Sequence, residues 1–407
     1  MSERNKKAAL KIVDVLRKNG FAGLFAGGCV RDMLLGRPAK DYDVVTDAKP
    51  EEVTKLFRRT IQIGAKFGVV MIMKGKEQVE VATFRTESGY ADGRHPAKVE
   101  YSNAKADAER RDFTINGMFF DPVSEEVMDY VGGKDDLKIK MLRTIGSADE
   151  RFAEDYLRML RAVRFSTELG FEIEADTWQA VCKNAANITK ISGERVAMEL
   201  VRILAADDRS RGAKLLVDSG LSLAVFPEFS GEGVDLGIKV LAGLEGDVGF
   251  SLGLAGLFAG FDVDFAAKST RILNLSNSDE RDLRFLLDSR GKLLEADMGL
   301  ADLKLVMGQE CFDDLCKLQK SIQRAKGLSC DEFERLMERV EGLKGVDVRP
   351  KPLLDGHELM KLGADPGPVV GKIGDAMYRA QLGEEIATKK QARQWAAKWL
   401  CEYKKQQ

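Results

Sequence analysis

With 407 residues, 44% hydrophobic and 31% charged, the chain has room for about two to four domains of an ordinary globular protein, which excludes a disordered tail or a fibre. Its 63 Lys and Arg stand against 65 Asp and Glu, so a net charge of -2 offers no global field for a polyanion and any nucleic acid must be held by local basic patches. Two histidines, His95 and His357, leave almost no room for a histidine-centred metal site or triad, and six scattered cysteines without zinc-ligand spacing read as reduced thiols of a cytoplasmic protein.

The N-terminal stretch is charged and helical in pattern, without the apolar core of a secretory signal, and no run of apolar residues is long enough to span a membrane. "AALKIVDVLRKNG" predicts a helix ended by Gly20, and "GLFAGG" a short strand running into a turn. "CVRDMLLG" follows as a helix stopped by Gly36, then the segment "AKDYDVVTD" as a strand. "FGVVMIMKGKEQVEVATFR" predicts two antiparallel strands joined at Gly75. Residues Phe84 to Ser102 read as a long polar loop of the functional, mobile kind, and a helix start is expected at Asp112. From about Lys138 the strand signals fade and helical periodicity dominates, with joints at "FSGEGVDLG" and "LKGVDVRPKPLLDG". The fold class predicted is α+β at the front, helical behind.

The aspartates pose the chemical question. On a strand, Asp41 and Asp43 face one way about 7 Å apart, where two carboxylates repel by roughly 2 to 3 kcal/mol at an effective dielectric near 20. A divalent cation between them reverses that sign, and hard oxygen ligands on a half-open site suit Mg2+ together with substrate phosphates; the bland alternative is a solvated edge strand. Gly27 and Gly28 directly upstream let backbone approach an anion, with Arg31 and Asp32 in the following turn. G-x-G-x-x-G and Walker A patterns are both absent. Glu80, on the less apolar face of its strand, is a candidate third acid, and Arg110 with Arg111 a candidate triphosphate clamp.

In "RFAEDYLRMLRAVRF" a single helix would gather Ala153, Tyr156, Leu157, Leu160 and Val163 on an apolar arc, and Arg151, Glu154, Asp155, Arg158 and Arg161 opposite. Glu154 and Arg158 have the order of an ordinary ion pair. Asp155 and Arg158 also present an acceptor beside a donor. Cytosine and adenine both offer an amine donor next to a ring-nitrogen acceptor, whereas uracil and guanine do not, so this pair would accept C and A and reject U and G.

Together the blocks "GGCVRDMLLG" with "DYD", "RRDFTING", "DYVGGKDDL", "EDYLRMLRAVRF" and "SGERVAMEL", in that order across residues 27 to 200, resemble the class II tRNA nucleotidyltransferases, the CCA-adding enzymes, and the bacterial poly(A) polymerases beside them. The resemblance implies a polymerase β-like nucleotidyltransferase head (1-140) followed by a helical neck (141-210), body (211-345) and tail (346-407). It implies addition of C and A to the 3' end of tRNA from CTP and ATP, with poly(A), CC-only or A-only synthesis as alternatives. Asp41 and Asp43, with Glu80, would hold two Mg2+ ions; Gly27, Gly28, Arg31 and Asp32 would line the phosphate side. Arg111, Asp112 and Asn116 would hold triphosphate and ribose, Glu154, Asp155 and Arg158 would read the base in place of a template, and Arg161 would also bind the nucleotide. The letters "DGRH" in the 84–102 loop fit enzymes that add A, and the absence of adjacent basic residues in "IGAKFGVVMIM" favours CCA addition. Gly117 stands where the family more often has Ala, a packing change. tRNA would be gripped on its acceptor and T-arm side by shape and phosphate contacts, helped by a C-terminal stretch from Lys389 with six basic residues against one acid. Trp395, Trp399 and Tyr403 within it read as a packing stripe. Neither a membrane nor a protein partner is implied.

Overall fold

Apolar residues at every third or fourth position wind the first segment into helix α1, Ser2–Lys18, with Ala9, Ile12, Val13 and Leu16 buried. The computed structural model describes residues 2–64, 68–90 and 96–405. After α1, the left-handed Gly20 (φ 86°) turns the chain toward β1, Leu24–Ala26, then α2, Gly28–Leu34, and β2, Asp43–Thr46. α3, Pro50–Leu56, leads into β3, Thr60–Gly64, β4, Val69–Lys74, and β5, Glu77–Thr83, the last two joined through Gly75 as expected. β6, Arg85–Tyr90, and β7, Pro96–Tyr101, precede α4, Ala104–Glu109, β8, Phe119–Asp121, and β9, Glu126–Met128.

Seven of these strands form one mixed sheet in the order β3-β4-β5-β2-β1-β8-β9. β2 runs parallel to β5 and antiparallel to β1, with Ala26 opposite Asp43. Val44 and Val45 point to opposite faces and both are buried, so the sheet is covered on both sides at its centre. Val45 packs with Leu24, Phe84, Ala108 and Phe119, and on β1 Phe25 meets Tyr42 edge to face at 5.2 Å. The α+β front half is therefore as expected, and its central strands end where the glycine turn and the aspartates begin.

Two local expectations fail here. Residues 84 to 102 are no plain loop: β6 and β7 pair antiparallel from Arg85↔Tyr101 to Tyr90↔Pro96, while 91–95, with the "DGRH" letters, lie outside the described residues. Near Asp112 there is only a 3-10 turn, Thr114–Asn116, because the Asp112 carboxylate accepts from the Phe113 amide (2.8 Å) and the Asn116 side chain (3.2 Å), competing with an α-helical start.

Past α5, Gly133–Lys138, the chain is helical except for β10, Met141–Leu142, which pairs with β11, Glu172–Ile173. The helices around them are α6, Ala148–Glu154, α7, Leu157–Leu169, α8, Ala175–Asn184, and α9, Gly193–Ala205. The chain divides into two compact units, residues 1–230 with 269–275, and residues 231–268 with 276–407; the first boundary falls inside "FSGEGVDLG". In the second unit, the run from Asp282 to Gly308 breaks at Gly291 (φ 87°) into separate helices, Asn277–Asp288 and Leu300–Met307. The last helix of that unit, Lys389–Lys405, lays Trp395 and Trp399 on a core of Leu359, Ile373, Met377, Ala392, Ala396 and Leu400, and stacks Trp399 on Tyr403 at 5.0 Å, a packing stripe as expected. Among the described residues no helix is long and apolar enough to cross a membrane.

α9 begins against another backbone: a Cβ on Gly193 would stand 2.0 Å from the Ile272 carbonyl oxygen. Gly193→Ala should therefore cost about 1 to 3 kcal/mol of stability, seen as a lower urea midpoint with an unchanged slope.

Candidate active site

Gly27 sits at φ 69°, ψ −130°, a conformation that L side chains rarely adopt, and a Cβ there would come within 3.2 Å of Arg111 Nη1. The turn therefore keeps the backbone bare at the mouth of a cleft of about 1010 Å³, whose walls include Gly27, Gly28, Asp41, Asp43 and Glu80. Asp41 lies just before β2 and Asp43 begins it; Tyr42 between them is buried while both acids are exposed, so the alternation read from sequence holds although the strand is shorter. The parallel pairing Val44↔Val81, continued by one residue, sets Glu80 beside Asp43. Although Asp43 opens onto the cleft, the protein packed around its carboxyl desolvates it, and this, then the charges of Glu80 and Asp41, pushes it up to about 6 against the opposing pull of Arg111. Asn5, from α1, donates to Asp41 Oδ1 at 3.3 Å.

Such a set of hard oxygen donors, with mutual repulsion only partly offset by Arg111, fits a divalent cation. Among the described residues no three His, Cys, Asp or Glu form a ready-made metal cage. Cys29, on the same turn, donates its thiol to the Ala26 carbonyl at 3.2 Å, and burial pushes it up to about 12, so it is no nucleophile.

Around these acids the arginines are held by carboxylates. Arg31 bonds Asp32 through Nε and Nη2 (2.9 and 2.7 Å) and Asn116 Oδ1 through Nη1 (2.9 Å), joining α2 to the 3-10 turn. Arg110 and Arg111 share the fully buried Asp107 (2.7 and 3.0 Å); burial would raise its carboxyl, but the two guanidinium groups win and lower it. Arg161 grips Asp112 Oδ2 at 2.9 Å through Nε, and its charge overcomes the desolvation that acts to raise Asp112, bringing that carboxyl down to about 2. Among the described residues, eleven Lys and Arg face seven Asp and Glu around the cleft, a local excess of positive charge in a chain whose total is negative.

The expected single helix from Arg151 to Phe165 is broken. Asp155 stands between α6 and α7 at φ −154°, ψ 104°, its Oδ1 accepting from the Leu157 amide at 3.0 Å as a cap does. The break rotates the first half: Phe152 is buried, Ala153 is exposed and Tyr156 is half-buried, in place of the apolar arc through Ala153 and Tyr156. Leu157, Leu160 and Val163 are buried as expected. Asp155 and Arg158 both reach the cleft, yet each has another partner: Asp155 Oδ2 takes a bond from Arg195 at 2.7 Å, and Arg158 is ion-paired with Glu154. Arg195, Asp107 and Asn5 had no assigned role in the sequence. The first lies within the quoted block "SGERVAMEL"; Asp107 stands at i,i+3 and i,i+4 from Arg110 and Arg111, a local spacing that could have found it, whereas Asn5 carries no local signal because its partner Asp41 is 36 positions away.

Residues 24–143 match the family model described as the poly A polymerase head domain, and 170–232 that of a probable RNA and SrmB-binding site of polymerase A. The CCA-adding enzyme of Lactobacillus delbrueckii subsp. bulgaricus is 34% identical over 375 residues, 90% of each chain. That of Geobacillus stearothermophilus is 41% identical over 225 residues, 55% of each chain. Among solved structures, the Bacillus stearothermophilus CCA-adding enzyme in complex with CTP superposes with a TM-score of 0.79 at 27% identity, covering 98% of this chain and 99% of that one. The Thermotoga maritima CCA-adding enzyme complexed with tRNA shares the fold, with a TM-score of 0.66 at 19% identity over 97% and 95% of the chains.

The Asp112–Arg161 pair gives a pH signature. A carboxyl lowered from its ordinary value near 4 to about 2 contributes stability that is complete above about pH 4 and is lost as pH falls through about 2. Asp112→Asn should flatten the stability profile between pH 4 and 2 by about 2 kcal/mol, measured by urea unfolding at each pH.

Proposed function

The chain belongs to the family of CCA-adding enzymes, and on that premise we propose that it adds C and A nucleotides to the 3' end of tRNA without a nucleic-acid template, consuming CTP and ATP and releasing pyrophosphate. The observation that carries this reading is the convergence, in one cleft, of the acids Asp41, Asp43 and Glu80, the arginines behind Gly27, and the Asp155 and Arg158 pair.

Asp41 and Asp43, with Glu80 alongside, are the residues that would hold Mg2+. Two such ions, when bound, activate the RNA 3'-hydroxyl and neutralise the charge on the triphosphate and on the departing pyrophosphate. Gly27 and Gly28 leave space for the triphosphate, and Arg111 supplies a cation already oriented by Asp107. Arg31 and Asp32, with Asn116 and Asp112, frame the phosphate and ribose side. At the other end Asp155 accepts from the exocyclic amine of C or A and Arg158 donates to the ring nitrogen; Glu154 holds Arg158, and Arg161 fixes Asp112 beneath. U and G meet donor with donor and acceptor with acceptor at the same atoms.

Head (1-140), neck (141-210), body (211-345) and tail (346-407) are the working parts we assign, with the basic last helix, Lys389–Lys405, facing tRNA phosphates, and the cytoplasm as the place of action. Poly(A) synthesis is the second reading, favoured by the description of the head-domain model that residues 24–143 match.

Transcripts ending at the discriminator base, at C and at CC, each offered one nucleotide at a time, separate these readings. In wild type, CTP alone should extend the first two transcripts to CC and ATP alone should add a single A to the third; long A tails would establish the second reading. Asp41→Ala and Asp43→Ala should each abolish transfer, by at least about 10³-fold, with tRNA affinity nearly unchanged in filter binding. Asp155→Ala or Arg158→Ala should let UTP and GTP compete, and unaltered selectivity would show that the base is read elsewhere.

A further inference from the structure

Arg151 has no place in the cleft. It sits in the wall behind it, where its side chain, 15% exposed, borders a second cavity of about 960 Å³. Yet all three of its guanidinium nitrogens are committed. Nη2 donates to the Glu109 carbonyl at 2.9 Å, Nη1 to the Arg110 carbonyl at 3.1 Å and to Glu154 Oε2 at 3.0 Å, and Nε to the Ile145 carbonyl at 3.2 Å. Its own backbone carbonyl accepts from Arg158 Nη1 at 2.9 Å.

These partners belong to the two ends of the proposed nucleotide. Glu109 and Arg110 lead directly into Arg111 and Asp112 on the triphosphate and ribose side, and Ile145 is tied to the same segment because its amide donates to the Asp112 carbonyl at 3.1 Å. Glu154 and Arg158 belong to the base-reading side. A planar guanidinium with donors spread over three nitrogens can span such a set; an ammonium, with one nitrogen, cannot. Arg151 thus bonds both segments while bordering neither end of the cleft.

We propose that Arg151 is the positioning residue that sets the spacing between the triphosphate clamp and the base-reading pair, so that discrimination of C and A from U and G passes through a side chain that touches no nucleotide. The inference rests on the reading of the cleft given above. Because Glu154 is shared by Arg151 and Arg158, loss of Arg151 leaves Glu154 free to pull Arg158 out of line with the base. A displacement near 1 Å in such a site costs on the order of 100-fold.

The test compares wild type, Arg151→Met and Arg151→Lys for incorporation of CTP, UTP, ATP and GTP, each alone, onto the three transcripts, with melting temperatures alongside. Arg151→Lys keeps the charge and the aliphatic stem and carries the decision should Arg151→Met fail to fold. The expected result is a folded Lys variant whose KM for CTP and ATP rises about tenfold and whose preference for CTP over UTP falls about 10- to 100-fold. A Lys variant with unchanged selectivity, even if kcat drops, overturns the positioning role and leaves Arg151 a structural bolt. A wild type that takes all four nucleotides equally overturns instead the reading of the cleft itself, so the two failures are told apart.

Discussion

Like charges crowded into one cleft are the constraint on which this architecture turns. Burial, together with the charges of Glu80 and Asp41, drives Asp43 to about 6, and among the described residues eleven cationic side chains line the same cleft. Left unpaired, such charges would point into solvent or deform the strands that carry them. The fold instead gives the inward-facing arginines a fixed acid: Asp107 for Arg110 and Arg111, Asp112 for Arg161, Glu199 for Arg164, Glu154 for Arg158. Buried acids at this density do little for net stability, since desolvation offsets much of the attraction, but they hold cations in place before any substrate arrives.

That division of labour explains why the acids of the cleft fall into two groups. Asp107 and Asp112 are buried and held low by arginine, so their charge is permanent and serves the protein. Asp43 and Glu80 open onto the cleft, and Asp43 is raised by desolvation and by neighbouring acids that Arg111 only partly offsets, an arrangement suited to a ligand. The same residue type is sorted by environment into scaffold and site.

Much of this was legible in the chain. Alternation around Tyr42 placed Asp41 and Asp43 on one side of a strand and alternation around Glu80 placed that acid on the less apolar face of another, while only the β2–β5 register sets Glu80 beside Asp43. Gly27 was readable as a turn with a purpose, and Gly117 as a packing position: a Cβ there would stand 2.7 Å from Val131 Cγ2. The break at Asp155 was not legible, because helical periodicity continues on either side and the interactions that stop the helix are a side-chain cap and a guanidinium 40 positions on. The β6–β7 ladder was hidden for a related reason: glycines and charges in a strand read as a loop until its pairing is known. Periodicity reports burial, and neither feature is made by burial.

If Asp155 and Arg158 read the base as proposed, their pairing with other protein groups bears on how selectivity arises. Asp155 with Arg195, and Arg158 with Glu154, are already satisfied, so an arriving base gains only the difference between the bonds it offers and those it displaces. A base that matches both groups loses little in the exchange. One that matches neither leaves a partly buried carboxylate facing a carbonyl, or a guanidinium facing an N–H, at a cost of about 1 to 3 kcal/mol for each orphaned group. A closed network of this kind discriminates more sharply than a pair of free side chains would, because free groups could turn to water and accept the wrong base at small cost.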